Sequence, residues 1–383
     1  GGVASGARAL LQGRPERPGP LRGGDCRAPG MLRAGLGRGS ASLRTEGDGS
    51  RRQQKPLLQV QTALQSLSFS IPTIPKLVFQ TLLFAHDFSP SSNRALAYAV
   101  DVASRTGATL HLMHVDQTAE GVLFEGGEAP PSEELQDRFE HRCRTSLSPY
   151  DLSPDDNQVV CHAVRGVSPA PLLVERAEEI GADLLVTGTE GRRGARRLVA
   201  GSVAEEVLRT APCPVLTVRQ RDETEDGTFN FEVEQIVAPV DFSDLARAAL
   251  QHVIQLAPLY NVPVKLMHVV EDPTLPSVYE AKSSKVQARA AEQRAEQELR
   301  SMGEPLAEKG VPVSYLVRRG ETTDTVVNTT GHRGTLTVMG TKGLSGLRRV
   351  MLGSVTEAVI RESNGPVLAV PASAQASTHQ TNE

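Results

Sequence analysis

The chain has 383 residues, 39% of them hydrophobic and 4% aromatic with no Trp, and its 41 Lys and Arg against 45 Asp and Glu leave a formal charge of -4. That length suits two or three domains, and the near balance of charge removes the usual electrostatic argument for a nucleic-acid partner. Apolar runs such as Leu82–Phe84 and Leu184–Val186 are far shorter than the ~18–20 residues that span a bilayer, and cysteines 26, 143, 161 and 213 form neither a C-x-x-C pair nor a disulfide framework. A soluble protein of the reducing cytoplasm, away from membranes, is expected.

In chain order, the first 50 residues hold 13 Gly and 4 Pro, and residues 1–75 carry 11 Lys and Arg against 4 Asp and Glu. Such a segment buries too little apolar surface to offset its ordering entropy. Residues 1–76 are therefore expected to be a disordered or non-native extension, with a basic targeting peptide from Met31 and a nucleic-acid arm as open alternatives. From residue 77 the chain repeats itself. Thr81–Ser89 (TLLFAHDFS) returns as Gln235–Ser243 (QIVAPVDFS), and His111–Val115 (HLMHV) returns as Lys265–Val269 (KLMHV). Gly188–Val203 returns as Gly340–Val355, and Ala211–Val218 is answered by Asn364–Val370. Four blocks in one order at nearly constant offset define two units, 77–219 and 233–372. Between them lies an acidic linker, 220–232, and after them a disordered tail, 373–383.

Within each unit short apolar runs alternate with helical patterns. Strands are expected at Thr81–His86, Leu110–Val115, Val159–Val164, Leu184–Thr187 and Val215–Val218, with counterparts in the second unit. After Asp87, Leu96, Ala99, Val100 and Ala103 follow the i, i+3, i+4, i+7 spacing of an amphipathic helix. After Asp241, Leu250, Val253, Ile254 and Ala257 do the same. Runs apolar on both faces, separated by helices, predict two tandem α/β domains, each a doubly wound, five-stranded parallel sheet of Rossmann-like type.

In such a sheet, ligands sit beyond the carboxyl ends of the strands, where strand order reverses. That edge collects Asp87 and Asp241 from the first strands, His114-Val115 and His268-Val269 from the second, and glycine loops after the fourth. The loops read G-x-x-G, nine residues, G-Ser: Gly188, Gly191, Gly201 and Ser202, then Gly340, Gly343, Gly353 and Ser354. Glycine permits positive φ and lets a phosphate approach the backbone. A serine at a helix start can cap the helix, offer its hydroxyl to an anion, or do both. Glycines that only turn the chain, with serines that only cap, are the alternative.

The blocks Gly340-Thr-Lys-Gly343 and Gly353-Ser354, with Ala238–Asp241 and Leu266–Val269 before them, resemble the universal stress protein family, and the first unit resembles it in parallel. The resemblance covers nearly all of 77–372, and the glycine-serine spacing is the family's ATP-binding signature. It implies ATP, with Mg²⁺, as the cofactor. The loop amides and serine would hold the phosphates, while Asp and Val line the adenine and ribose. Those roles fall on Asp241, Val269, Gly340, Gly343, Gly353 and Ser354, and on Asp87, Val115, Gly188, Gly191, Gly201 and Ser202. The resemblance also implies pairing through the last strand, here an intramolecular pseudo-dimer with Val215–Val218 beside Val367–Val370; a homodimer stays open.

The copies differ. Unit one has Ala85-His86-Asp87 where unit two has Pro239-Val240-Asp241, and Glu190 where unit two has Lys342. A carboxylate in the phosphate loop repels a triphosphate unless Arg192, Arg193, Arg196 and Arg197 offset it, so unit two is expected to be the better site. Asp183 is replaced by Thr335 without a functional reason in the sequence. His114 and His268 read as packing or hydrogen-bonding residues, Cys213 as buried and apolar, and 285–300 as an exposed charged helix. The function expected is a nucleotide-dependent stress-response or regulatory module. Its alternatives are a nucleotide-free scaffold or a weak ATP-hydrolysing enzyme, with no catalytic residue assigned and no G-x-x-x-x-G-K-[ST] loop. Replacing Gly340 and Gly343 by Val is expected to remove binding and leave the fold cooperative.

Overall fold

The computed structural model describes residues 79–117, 132–189, 201–219, 233–271, 282–341 and 352–373. All lie in one compact unit, Ile71–Glu383. The expected extension 1–76, the linker 220–232, Gly191, Gly343, Glu190, Lys342 and all but the first residue of the tail 373–383 fall outside the described residues.

The first half runs β1 (Thr81–Ala85), α1 (Pro90–Thr106), β2 (Thr109–Asp116), α2 (Ser132–Leu147), β3 (Val159–Arg165), α3 (Pro169–Glu179), β4 (Leu184–Gly188), α4 (Ser202–Thr210) and β5 (Val215–Val218). The second repeats it with β6 (Gln235–Pro239), α5 (Asp244–Tyr260), β7 (Val264–Val270), α6 (Lys282–Glu308), β8 (Val313–Arg319), α7 (Thr322–Thr330), β9 (Thr335–Gly340), α8 (Ser354–Glu362) and β10 (Val367–Val370).

The strands stand in the order β3-β2-β1-β4-β5-β10-β9-β6-β7-β8. Within each half every pairing is parallel, and β5 meets β10 antiparallel with Leu216 opposite Leu368. One ten-stranded sheet results, and the strand order turns back beside β1 in the first half and beside β6 in the second.

The apolar runs lack alternation because both faces of the sheet are covered. Leu82 and Phe84 of β1 join residues of α1, α2, α5 and α6 in one core, whereas Leu83 joins residues of α3, α4, α7 and α8 in the other. Cys213 is buried in the second core, as its sequence setting suggests. Helix α1 starts at Ser89, whose hydroxyl accepts the Ser92 N–H, and stops at Gly107 in the left-handed region. Helix α5 starts at Ser243 in the same way and stops at left-handed Asn261. Across the halves, Tyr260 donates from its hydroxyl to Asp101 at 2.8 Å, and the Arg105 guanidinium lies 4.6 Å from the centre of the Tyr260 ring.

The exchange of Asp183 for Thr335 has a structural reason. In the first half the Asp183 carboxylate accepts the backbone N–H groups of Gln80 and Thr81 as the chain enters β1. In the second half the Gly334 carbonyl accepts the equivalent N–H groups of Glu234 and Gln235. Backbone thus does the work of a side chain, and the acidic residue is dispensable there.

A second difference lies under α3. His111 Nδ1 is 3.3 Å from His162 Nε2, the two rings stack with centroids 5.6 Å apart, and Arg176 Nη2 is 2.8 Å from His162 Nε2. Desolvation, then the Arg176 guanidinium, lowers both histidines, and His162 is pulled down to about 4. The unfolded chain therefore takes these protons first, near the ordinary pKa of ~6.5. The stability is complete above that value and is lost as pH falls towards 4. The melting temperature should drop between pH 7 and pH 5. His162→Leu, which installs the residue found at the matching position 316, should shrink that drop; an undiminished drop would contradict the assignment.

Candidate functional site

Register brings the expected site residues to one level. Ala85 pairs with Met113 and Pro239 with Met267, so two residues further on Asp87 lies level with Val115, and Asp241 with Val269. On the other side Phe84 pairs with Val186 and Val237 with Thr337, which carries Gly188 and Gly340 to the same edge. The starts of α4 and α8 return there as well, because the Gly201 N–H donates to the Thr189 carbonyl and the Gly353 N–H to the Thr341 carbonyl. In each half the edge lies where strand order reverses, the usual position of a ligand crevice in such sheets.

Each aspartate has a structural duty. The Asp87 carboxylate accepts the Ser89 N–H at 2.9 Å, and the Asp241 carboxylate accepts the Ser243 N–H at 3.1 Å and the Ser243 hydroxyl at 2.6 Å. These Asx turns feed the serines into their capping positions. The residue between, Phe88 or Phe242, is held at φ 59° or 63°. A bulky side chain in the left-handed region is strained, and its repetition in both halves marks a conformation the surroundings enforce. Sequence reasoning missed these phenylalanines, although the repeated Asp-Phe-Ser triplet was the available signal.

The repeated histidines support the same turn. His114 Nδ1 donates to the His86 carbonyl, and His268 Nδ1 to the Val240 carbonyl, each at 2.7 Å. The His268 ring also lies 4.3 Å from the Phe242 ring, centre to centre. They are hydrogen-bonding residues, as the sequence suggested. His268→Phe keeps the ring packing and leaves the Val240 carbonyl without its donor, so it should cost about 1–2 kcal/mol in chemical denaturation; unchanged stability would show that water replaces the donor.

The glycines act differently from expectation. Gly188, Gly201, Gly340 and Gly353 are not among the described glycines with positive φ. Gly188 and Gly340 are required by close packing: a Cβ on Gly188 would lie 3.0 Å from the backbone at Ser91 and Ser92, and one on Gly340 2.7 Å from Leu245 Cγ. Replacing Gly340 by Val therefore disturbs the junction of β9 with α5, so the expectation that this change spares the fold does not hold. The serines do not cap either. Gly201 and Gly353 are the N-cap residues, with no side-chain cap, and Ser202 and Ser354 are the first helical residues, both exposed. The opening N–H groups of a helix have no partner within it, and the N-cap glycines Gly201 and Gly353 offer no side chain to compete for them. Thr356 instead ties α8 to the strand end, its hydroxyl donating to the Gly340 carbonyl at 2.9 Å.

The halves differ at this edge. Beside Asp87, Arg142 lies over the Phe88 ring at 3.5 Å, while the Phe139 ring lies 5.8 Å from Phe88 and 5.7 Å from His114. His86 is buried against Ser92 at 2.7 Å, where the second half has Val240, also buried. Among the described residues no group of three or more His, Cys, Asp or Glu is arranged to hold a metal ion, and no helix is long and apolar enough to cross a membrane. A cavity of about 20 Å³ under the junction of the halves, lined by Phe79, Tyr98, Leu256 and Tyr260 among others, has room for about one water and none for a nucleotide.

Comparison with known proteins agrees with this architecture. The model of the universal stress protein family matches residues 79–219 and 232–371. Universal stress protein A homolog 1 of Coxiella burnetii is 32% identical over 149 residues, 38% of this chain and 99% of that protein. A universal stress protein of Methanocaldococcus jannaschii is 31% identical over 147 residues, 37% of this chain and 84% of that one. The crystal structure of a universal stress protein from Archaeoglobus fulgidus aligns with a TM-score of 0.50 at 18% identity, covering 77% of this chain and 96% of that one, which is a likeness of fold.

Proposed function

We propose that this chain, which belongs to the universal stress protein family, is an adenine-nucleotide-binding regulatory module whose better site lies in the second domain. The observation that carries this reading is the meeting of Asp241, Val269, Gly340 and the uncapped start of α8, with Ser354 exposed, at one edge of the sheet. Such an edge fits a triphosphate in charge: the helix start presents amide donors and the positive end of the helix dipole, and the Ser354 hydroxyl adds a further donor. Asp241, just beyond the end of the neighbouring strand β6, and Val269, on β7 one strand further, stand where a base and ribose would extend. ATP supplies the charge that the helix start attracts, and Mg²⁺ would enter on its phosphates.

The two halves then differ in role. Phe88 with His114 is repeated in the second domain as Phe242 with His268, but in the first domain Arg142 and Phe139 pack against that pair and crowd the strand ends beside Asp87, which favours the second domain as the occupied site. Binding biases the protein by as much as the nucleotide prefers one conformation over another, and no reaction step is required. The pairing of β5 with β10 supports reading the tandem as an intramolecular pseudo-dimer, so occupancy of one half is felt across a shared sheet. Thermal unfolding with ATP, ADP, GTP and cyclic AMP in turn tests the reading. Stabilisation by an adenine nucleotide over GTP is expected, and equal indifference to all four would overturn it.

A further inference from the structure

Two thiols of the first domain face one another between α2 and the edge strand β3. Cys143 is fully buried on the inner side of α2, and Cys161 of β3 is half-buried. Cys161 lies close enough to Cys143 that its thiol, ahead of burial, is the first cause that raises the pKa of the Cys143 thiol. Both belong with Phe139, Leu147 and Val159 to one apolar cluster. Gln136, two turns before Cys143, holds the elements in register: its Nε2 donates to the Cys161 carbonyl at 2.8 Å, and its Oε1 accepts the Ala163 N–H at 2.9 Å. Cys213 lies in the opposite core, and no cysteine occurs in residues 233–372.

We propose that Cys143 and Cys161 form a reversible disulfide when the protein meets a hydroperoxide, making the seam between α2 and β3 a redox-responsive site. Cys161, reachable from solvent, gives up its proton and its sulfur attacks a peroxide oxygen. An S–O bond forms, the O–O bond breaks, and the departing hydroxide takes a proton to become water. The Cys143 sulfur then attacks the sulfenic sulfur; the S–S bond forms, the S–O bond breaks, and the Cys143 proton leaves with the oxygen as a second water. Two thiols and one hydrogen peroxide thus give one disulfide and two waters, and a dithiol reductant reverses the change. Contact with Cys161 and burial both keep Cys143 protonated at rest, which suits a thiol that waits for the sulfenic acid. Phe139, one turn from Cys143, touches the rings of Phe88 and His114 beside Asp87, so the link is made close to the ligand edge of the first domain.

The experiment uses the full chain, reduced, freed of reductant and treated with hydrogen peroxide, then alkylated under denaturing conditions and mapped as peptides without reductant. A cross-linked Cys143–Cys161 peptide that dithiothreitol removes is expected, with Cys213 still alkylated. In Cys143→Ser, Cys161 should carry a sulfenic acid that dimedone traps. If both thiols of the wild-type chain stay alkylatable at a dose that fully oxidises free glutathione, or if Cys161 passes to sulfinic acid with no cross-link, the proposal is overturned.

Discussion

Gly365→Ala is expected to lose about 3 kcal/mol or more of folding stability, among the largest losses a single methyl group can cause. A Cβ on Gly365 would stand 2.0 Å from the Thr335 carbonyl oxygen and 3.4 Å from that of His332. Both obstacles are backbone, so no rotamer change relieves them. Thr335 opens β9 and is itself fully buried, with its hydroxyl accepting from Gln235 at 3.0 Å, so moving it disturbs β6 as well. The segment is held on the other side too, since the Gly365 N–H donates to the Ser363 hydroxyl. The first domain carries Cys213 at the matching position, so only the second domain has this requirement. Urea unfolding measures the effect; a loss below about 1 kcal/mol would mean that the entry into β10 adapts.

Ser354→Ala should lower ATP affinity at least about tenfold and leave folding stability within about 0.5 kcal/mol. The first number is the loss of one hydrogen bond to a charged phosphate. The second follows because Ser354 is exposed and Gly353, not Ser354, is the N-cap residue. This separation of binding from folding makes Ser354 a better probe than Gly340, where any side chain collides with Leu245. Ser202→Ala, the matching change in the first domain, should have a smaller effect on binding if the second domain holds the nucleotide. Equal effects of the two changes would assign both halves the same role.

Much of the fold was legible because duplication shows itself in sequence. The Asp-Phe-Ser and Leu-Met-His-Val blocks recur at a single offset, and strands buried on both faces leave unbroken apolar runs such as Leu82–Phe84. Strand ends moved by a residue or two: β1 stops at Ala85 rather than His86, and β2 begins at Thr109 and continues to Asp116. Less visible were features that depend on what lies opposite in space. The need for glycine at 188 and 340 comes from the approach of α1 and α5, which a local pattern does not encode. The strain at Phe88 and Phe242 is set by an Asx turn and a histidine from the neighbouring strand. The contact of Cys143 with Cys161 joins a helix face to a strand face through a register that spacing along the chain does not reveal. The aspartates were picked out for a ligand, and the structure adds their duty in the turn, which is why they are poor sites for a clean test.

Calorimetric titration of the intact chain with ATP and Mg²⁺, repeated with Ser354→Ala, tests the central claim most directly. The account predicts saturable heat with a stoichiometry of one or two per chain, one if the second domain alone binds, and a weakened isotherm in the variant at unchanged melting temperature. No heat, together with no rise in melting temperature at millimolar ATP, would contradict nucleotide binding and leave the chain a ligand-free interaction module.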